Sequence, residues 1–274
     1  LQLGAGKTVM EIAIRGVGLL APGLIGWETG RAVLAGLLPF QPGAVPDPDA
    51  TMLPPNERRR SSDCVRWAVQ VAQEAMAQSG LDPRDVPTVF ASSGGEMGVF
   101  DKLCRTLATP ERTVSPTLFH QSVHNAAAGY WGIATAGQQS STALSCYDDS
   151  FAAGLLEAMT VVCAERCPVL LVAYDLPVPS PLSQARPITT GFAVALVVAP
   201  STDAAPAVMR IRLEQCTDEP SCLEHAVLEG IRIDNPAARS LPLLSAIAAG
   251  GERIVRLGLL ESQQLIMELG PCRL

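Results

Sequence analysis

Alternating and 3.6-residue apolar patterns succeed one another along the chain and predict an α/β fold. Met10 to Leu20 (MEIAIRGVGLL) alternates and then meets Gly16 and Gly18, which predicts a strand running into a tight turn. Trp27 to Leu37 has helical spacing, and the proline-rich stretch Pro39 to Pro55 predicts an irregular excursion. After Asn56, Val65, Ala68, Val69, Ala72 and Met76 share one face of a helix that Gly80 closes. Arg58, Arg59 and Arg60 then fall at the start of that helix, where the dipole disfavours them, so a solvated or partner-facing role is predicted.

Further strands are predicted at Pro87 to Ser93, Ser140 to Ser145, Val169 to Ala173 and Phe192 to Ala199. Helices are predicted after Gly94 and Gly95 and from Asp148 to Ala164, and the region from Pro206 onward reads as strand, helix and strand. Alternation of this kind implies a layered, mixed and largely parallel sheet with helices on both faces. Residues 1–9 read as a leader outside the fold.

Composition narrows the function. The chain has 274 residues, 48% of them hydrophobic and only 17% charged, which is enough to fill a substantial core. A net charge of −7 argues against nucleic acid, and no run of about 18 apolar residues predicts a membrane span. Eight cysteines scattered through apolar segments read as reduced thiols of a cytoplasmic protein. Cys216, Cys222 and His225 fit no common metal-ligand spacing, so neither a metal nor another cofactor is expected. There is no GxSxG elbow and no HExxH motif.

One block is specific. The run SPTLFHQSVHNAAAG, ending at Gly129, resembles the amino-terminal half of β-ketoacyl synthases of the thiolase-like superfamily. Ser122, His124, Asn125 and Gly129 carry that motif, and IRGVGLLAPG, ERRR, FASSGGE, LLVAYD and GFAVALVVAP support it. The resemblance is nearest to the short ketosynthase-like subunits of aryl-polyene clusters. It covers residues 10–200 and implies a thiolase-like half, with 201–274 as an extension packed on it that lacks the second catalytic half.

The resemblance directs attention to STALSCYDDSFAAGLLEA. A ketosynthase nucleophile sits just after a buried strand, where a helix dipole lowers the thiol pKa. Counted without gaps from the motif, that position falls on Asp148, and Cys146 is two residues early on the strand, about 7 Å away. Cys146 is therefore read as a buried strand cysteine, with a nucleophile as the alternative. Asp148 reads either as a helix cap or as a nonreactive replacement for the thiol. The family takes two catalytic histidines from its second half. Here only His225 lies that late, while His120 and His124 come before the strand.

The resemblance thus implies a noncatalytic subunit, similar to a chain length factor, that pairs with a complete ketosynthase in fatty-acid or polyketide-type elongation. Acyl carrier protein would dock mainly on the partner. Ser141, Thr142, Ala143, Leu144 and Ser145 are the implied interface, and Met97, Val99, Phe100 and Leu103 the implied acyl-pocket residues, with ordinary core packing as their alternative. Two other readings stay open: a minimal condensing or acyl-transfer enzyme using Cys146, and a homodimeric binding or scaffold protein.

Overall fold

The computed structural model describes residues 10–201, 208–215 and 218–270. In chain order the elements are β1 (Met10–Ala21), β2 (Leu24–Ile25), α1 (Trp27–Leu34), α2 (Pro55–Arg60), α3 (Asp63–Ser79), β3 (Thr88–Ala91), α4 (Met97–Leu107), α5 (Pro116–Gln121) and α6 (Ala126–Thr135). They continue with β4 (Ser141–Leu144), α7 (Ser150–Glu165), β5 (Val169–Asp175), β6 (Phe192–Pro200), β7 (Val208–Gln215), α8 (Ala226–Asp234), α9 (Leu241–Ala249), β8 (Arg253–Leu259) and β9 (Gln263–Leu269).

The nine strands of the described residues join one sheet in the order β4-β3-β5-β6-β1-β7-β9-β8, with the two-residue β2 against the end of β1. Only β3 pairs in parallel, with β4 on one side and β5 on the other. The other pairs are antiparallel, so the sheet is mixed as expected but not largely parallel. Residues after Pro200 add β7, β8 and β9 to the same sheet.

Helices cover both faces. On β5, Val169, Leu171 and Ala173 pack with Phe151, Leu155 and Met159 of α7, and α8 and α9 complete that side. Leu170, Val172 and Tyr174 point the other way, into the layer formed by α3 and α6. The central strands are therefore apolar on both faces, which is why their sequences read as unbroken hydrophobic runs.

β1 does not turn at Gly16 and Gly18 but continues to Ala21. A bulge at Arg15 shifts its register with β6. Ile12 and Ile14 before the bulge, and Val17, Leu19 and Ala21 after it, consequently share one core, so the alternation changes phase mid-strand. The glycines serve the opposite face. A Cβ on Gly16 would lie 2.0 Å from the Ala75 carbonyl oxygen, and one on Gly18 would lie 2.0 Å from that of Val71, so α3 rests directly on the strand backbone.

The arginine cluster also differs from expectation. Ser61 adopts an extended conformation and separates α2 from α3, so Arg58, Arg59 and Arg60 form the last turn of α2. Cations are favoured there by the helix dipole. Ser62 caps α3 by accepting from the Val65 N–H, and Gly80 ends that helix in the left-handed conformation.

Close approach at Gly18 makes a clear prediction. Gly18→Ala should lower stability by about 3 kcal/mol or more, because backbone atoms must move. Gly132→Ala, in α6 with nothing within 4 Å of an added Cβ, should instead gain about 0.5–1 kcal/mol. Urea unfolding of the two variants measures both.

Candidate functional site

The segment between β4 and α7 is a tight junction at one margin of the sheet. Strand pairing ends at Leu144, opposite Ala91, and the Ser145 hydroxyl donates to the Ser93 carbonyl. A short 3₁₀ turn, Tyr147–Asp149, then leads into α7. Buried Ser150 closes it: its hydroxyl oxygen accepts from the Cys146 N–H at 3.0 Å, and its O–H donates to the Tyr147 carbonyl at 2.7 Å. Tyr147 is held at φ 51, a left-handed conformation unusual for a bulky residue.

Cys146 lies past the end of the strand and is only half-buried, which corrects its reading as a buried strand cysteine. Desolvation, with the nearby Asp149 carboxylate adding to it, pushes its thiol pKa up. Both effects disfavour the thiolate, opposite to what a nucleophile needs.

The N-cap position of α7 is held by Asp149, without a side-chain capping bond, and not by Asp148. Asp148 Oδ1 instead lies 2.5 Å from Arg186 Nη1, and its Oδ2 accepts from Arg239 Nη2 at 3.0 Å. Arg186 comes from the loop between β5 and β6, and Arg239 from a 3₁₀ turn (Ala237–Ser240) before α9. The Arg186 guanidinium also stacks 3.8 Å above the Tyr147 ring centroid. Asp149 accepts from the Leu260 N–H at 2.9 Å, and burial raises its carboxyl pKa against that bond.

Each histidine has a different environment. His124 Nε2 is 3.1 Å from the Ser92 carbonyl, His120 meets Tyr130 edge-on, and His225 meets Phe40 edge-on. Ser122 ends α5 by donating to the Phe119 carbonyl, while Asn125 stands at the start of α6 and Gly129 lies within it. Gly95, at φ 59, abuts His124, so the two separately quoted blocks FASSGGE and SVHNAAAG form one substructure.

Sequence reasoning missed the acidic network beneath that substructure. Glu96 is buried at the foot of α4, accepting from the Ser62 hydroxyl and near Cys64. Asp175, also buried, accepts from the Ser92 and Ser93 hydroxyls and the Ser93 N–H. Burial raises Glu96 to about 7 and Asp175 to about 6, with their hydrogen bonds opposing. The signal available was an acid between a double glycine and an apolar helix, and an aspartate ending a wholly apolar strand.

The acyl-pocket candidates divide between environments. Val99 and Leu103 are buried, Met97 is half-buried and Phe100 is exposed. A cleft of about 760 Å³ lies elsewhere, near the end of α1, with Phe40, Leu228, Val255, Cys222 and His225 in its wall and none of those four residues. Of the interface candidates, Ser141 and Ser145 are exposed and Thr142, Ala143 and Leu144 half-buried. Among the described residues β4 pairs only with β3, which leaves its outer edge open. No group of three metal-ligating side chains occurs among the described residues, and Cys216 lies outside them. No described helix is long and apolar enough to cross a membrane.

Residues 35–232 match the family model for the β-ketoacyl synthase N-terminal domain. The chain belongs to this family. A search of curated protein sequences gave no match. Among solved structures, the chain is similar to one in the complex of the ketosynthase ApeO with its chain length factor ApeC from Xenorhabdus doucetiae, at 23% identity and a TM-score of 0.72. That alignment covers 94% of this chain and 99% of the other. The ishigamide ketosynthase/chain length factor is similar at 11% identity and TM-score 0.71, covering 96% and 100%. A β-ketoacyl synthase from Burkholderia phymatum follows at 13% and 0.60, covering 83% and 70%. At these identities the structural likeness establishes the thiolase-like fold.

The Glu96 and Asp175 network predicts a pH dependence of stability. Folding raises both pKa values, so the native state keeps protons that the unfolded chain releases. The stability Glu96 contributes is therefore whole below about pH 4.5 and is lost as pH rises through about 7. Glu96→Gln should flatten that decline and be more stable than the parent at pH 8 by about 1–2 kcal/mol, measured by urea unfolding from pH 5 to 8.5.

Proposed function

We propose that the chain is a noncatalytic ketosynthase-like subunit, resembling a chain length factor, that pairs with a complete β-ketoacyl synthase. The pair would serve fatty-acid or polyketide-type elongation of the aryl-polyene kind in the cytoplasm, with acyl carrier protein docking mainly on the partner. The carrying observation is the β4–α7 junction. Where a condensing enzyme needs an activated thiol, Asp148 is ion-paired to two arginines, and the neighbouring Cys146 thiol is held protonated.

The open edge of β4, bordered by exposed and half-buried Ser141 to Ser145, supports the pairing half of the reading. An unpaired strand edge is a template for a strand from another chain. Near-complete mutual coverage with a chain from a ketosynthase and chain length factor complex supports the comparison with such pairs. In this reading residues 10–200 supply the ketosynthase-like half and 201–274 are an extension lacking the second catalytic half, of which β7, β8 and β9 continue the sheet. Met97, Val99, Phe100 and Leu103 keep their proposed place at the end of an acyl pocket shared with the partner.

Two measurements test the proposal. Incubation with an acyl thioester or a ketosynthase-directed electrophile should leave the intact mass unchanged, whereas stoichiometric acylation at Cys146 would establish the condensing-enzyme alternative. Co-expression with a complete ketosynthase from the same genome should give a heterodimer on size-exclusion chromatography. Separate elution, with this chain as a homodimer, would establish the scaffold alternative.

A further inference from the structure

We propose that Tyr147 is the preformed aromatic anchor of the face that receives the partner ketosynthase, and that Asp148 is its positioning residue. The proposal rests on the reading of the chain as a paired subunit. Of the three tyrosines, Tyr130 and Tyr174 are buried, whereas Tyr147 is 62% exposed. It follows the open-edged strand β4 by three residues, in the turn that leads from that strand into α7.

An exposed ring gains value as an anchor when it is already immobile, because association then costs little side-chain entropy. Tyr147 is restrained at its backbone and at its ring, and the cation on the ring is itself held. Its carbonyl accepts from Ser150, Arg186 lies across one face of its ring, and Asp148 fixes Arg186 while holding Arg239 from a third segment. The Arg186 side chain is only 14% exposed, although it is a long cation on a loop.

The loop that carries Arg186 is secured independently. Asp234 accepts from the Thr189 and Thr190 N–H groups, Asn235 donates to the Asp175 and Thr190 carbonyls, and Arg105 of α4 donates to the Ser180 carbonyl. The left-handed backbone at Tyr147 costs about 1–2 kcal/mol for a residue other than glycine. That cost is sustained while the ring faces solvent. The carboxylate at the position where a condensing enzyme carries its nucleophile therefore orients a contact residue. The occupant that fits is a ketosynthase surface with an apolar socket for the ring.

The test uses the full chain and a complete ketosynthase from the same genome, with affinity measured by biolayer interferometry. Tyr147→Gly removes the ring and relaxes the backbone, so the free chain should be at least as stable while Kd rises about tenfold or more. Tyr147→Phe should stay within about threefold of the parent, and Leu37→Ala, truncating a 78% exposed side chain outside the β4–α7 junction, should leave Kd unchanged. Asp148→Asn should raise Kd about three- to tenfold in the parent but not in the Tyr147→Gly background. A parent complex that Tyr147→Gly leaves intact overturns the anchor, and an equal Asp148→Asn loss in both backgrounds overturns the positioning role. Absence of any parent complex overturns the paired-subunit reading, and the anchor with it.

Discussion

The contact of α3 with the backbone of β1 is the constraint on which the remaining architecture depends. Gly16 and Gly18 let the α3 carbonyls of Ala75 and Val71 lie against the strand backbone at a distance no side chain permits, and the bulge at Arg15 rotates the rest of the strand to suit. β1 is also the link in the sheet between β6 and β7. One half of the sheet carries the junction and its motifs, the other carries the antiparallel strands that follow Pro200, and β1 pairs with both. The apolar layers above and below can be continuous only because this strand runs unbroken between them.

Much of this was legible in the chain itself. Strands apolar on both faces and a helix with one apolar stripe announce themselves by period, and α3, β5 and β6 were readable for that reason. The bulge was not readable, because a phase change next to two glycines looks the same as the end of a strand. α9 escaped because LPLLSAIAA is apolar nearly all round and mostly buried, leaving no stripe to detect. Arg58 to Arg60 were placed at the wrong end of a helix because the two serines that break it also suit a helix interior or a cap.

The site was legible in part for a different reason. Cys146, Asp148 and the SVHNAAAG block are local in sequence, and their spacing alone put a carboxylate in question. Their partners are remote. Arg186 and Arg239 come from loops 38 and 91 residues beyond Asp148, and a hydrophobic pattern says nothing about which loop cations converge on one acid. Glu96 and Asp175 share that difficulty, since they sit on elements brought together only by the β3–β5 pairing. Long-range electrostatics of this kind becomes visible only once the topology is known.

The length and composition of β4 bear on how the chain keeps an open strand edge in water. The strand is four residues long and begins with serine and threonine, on a sheet whose other members are mostly aliphatic. Short, polar edges are poor templates for amyloid-like stacking, which favours longer hydrophobic segments. An edge of this kind can stay open in solution without committing the chain to self-stacking.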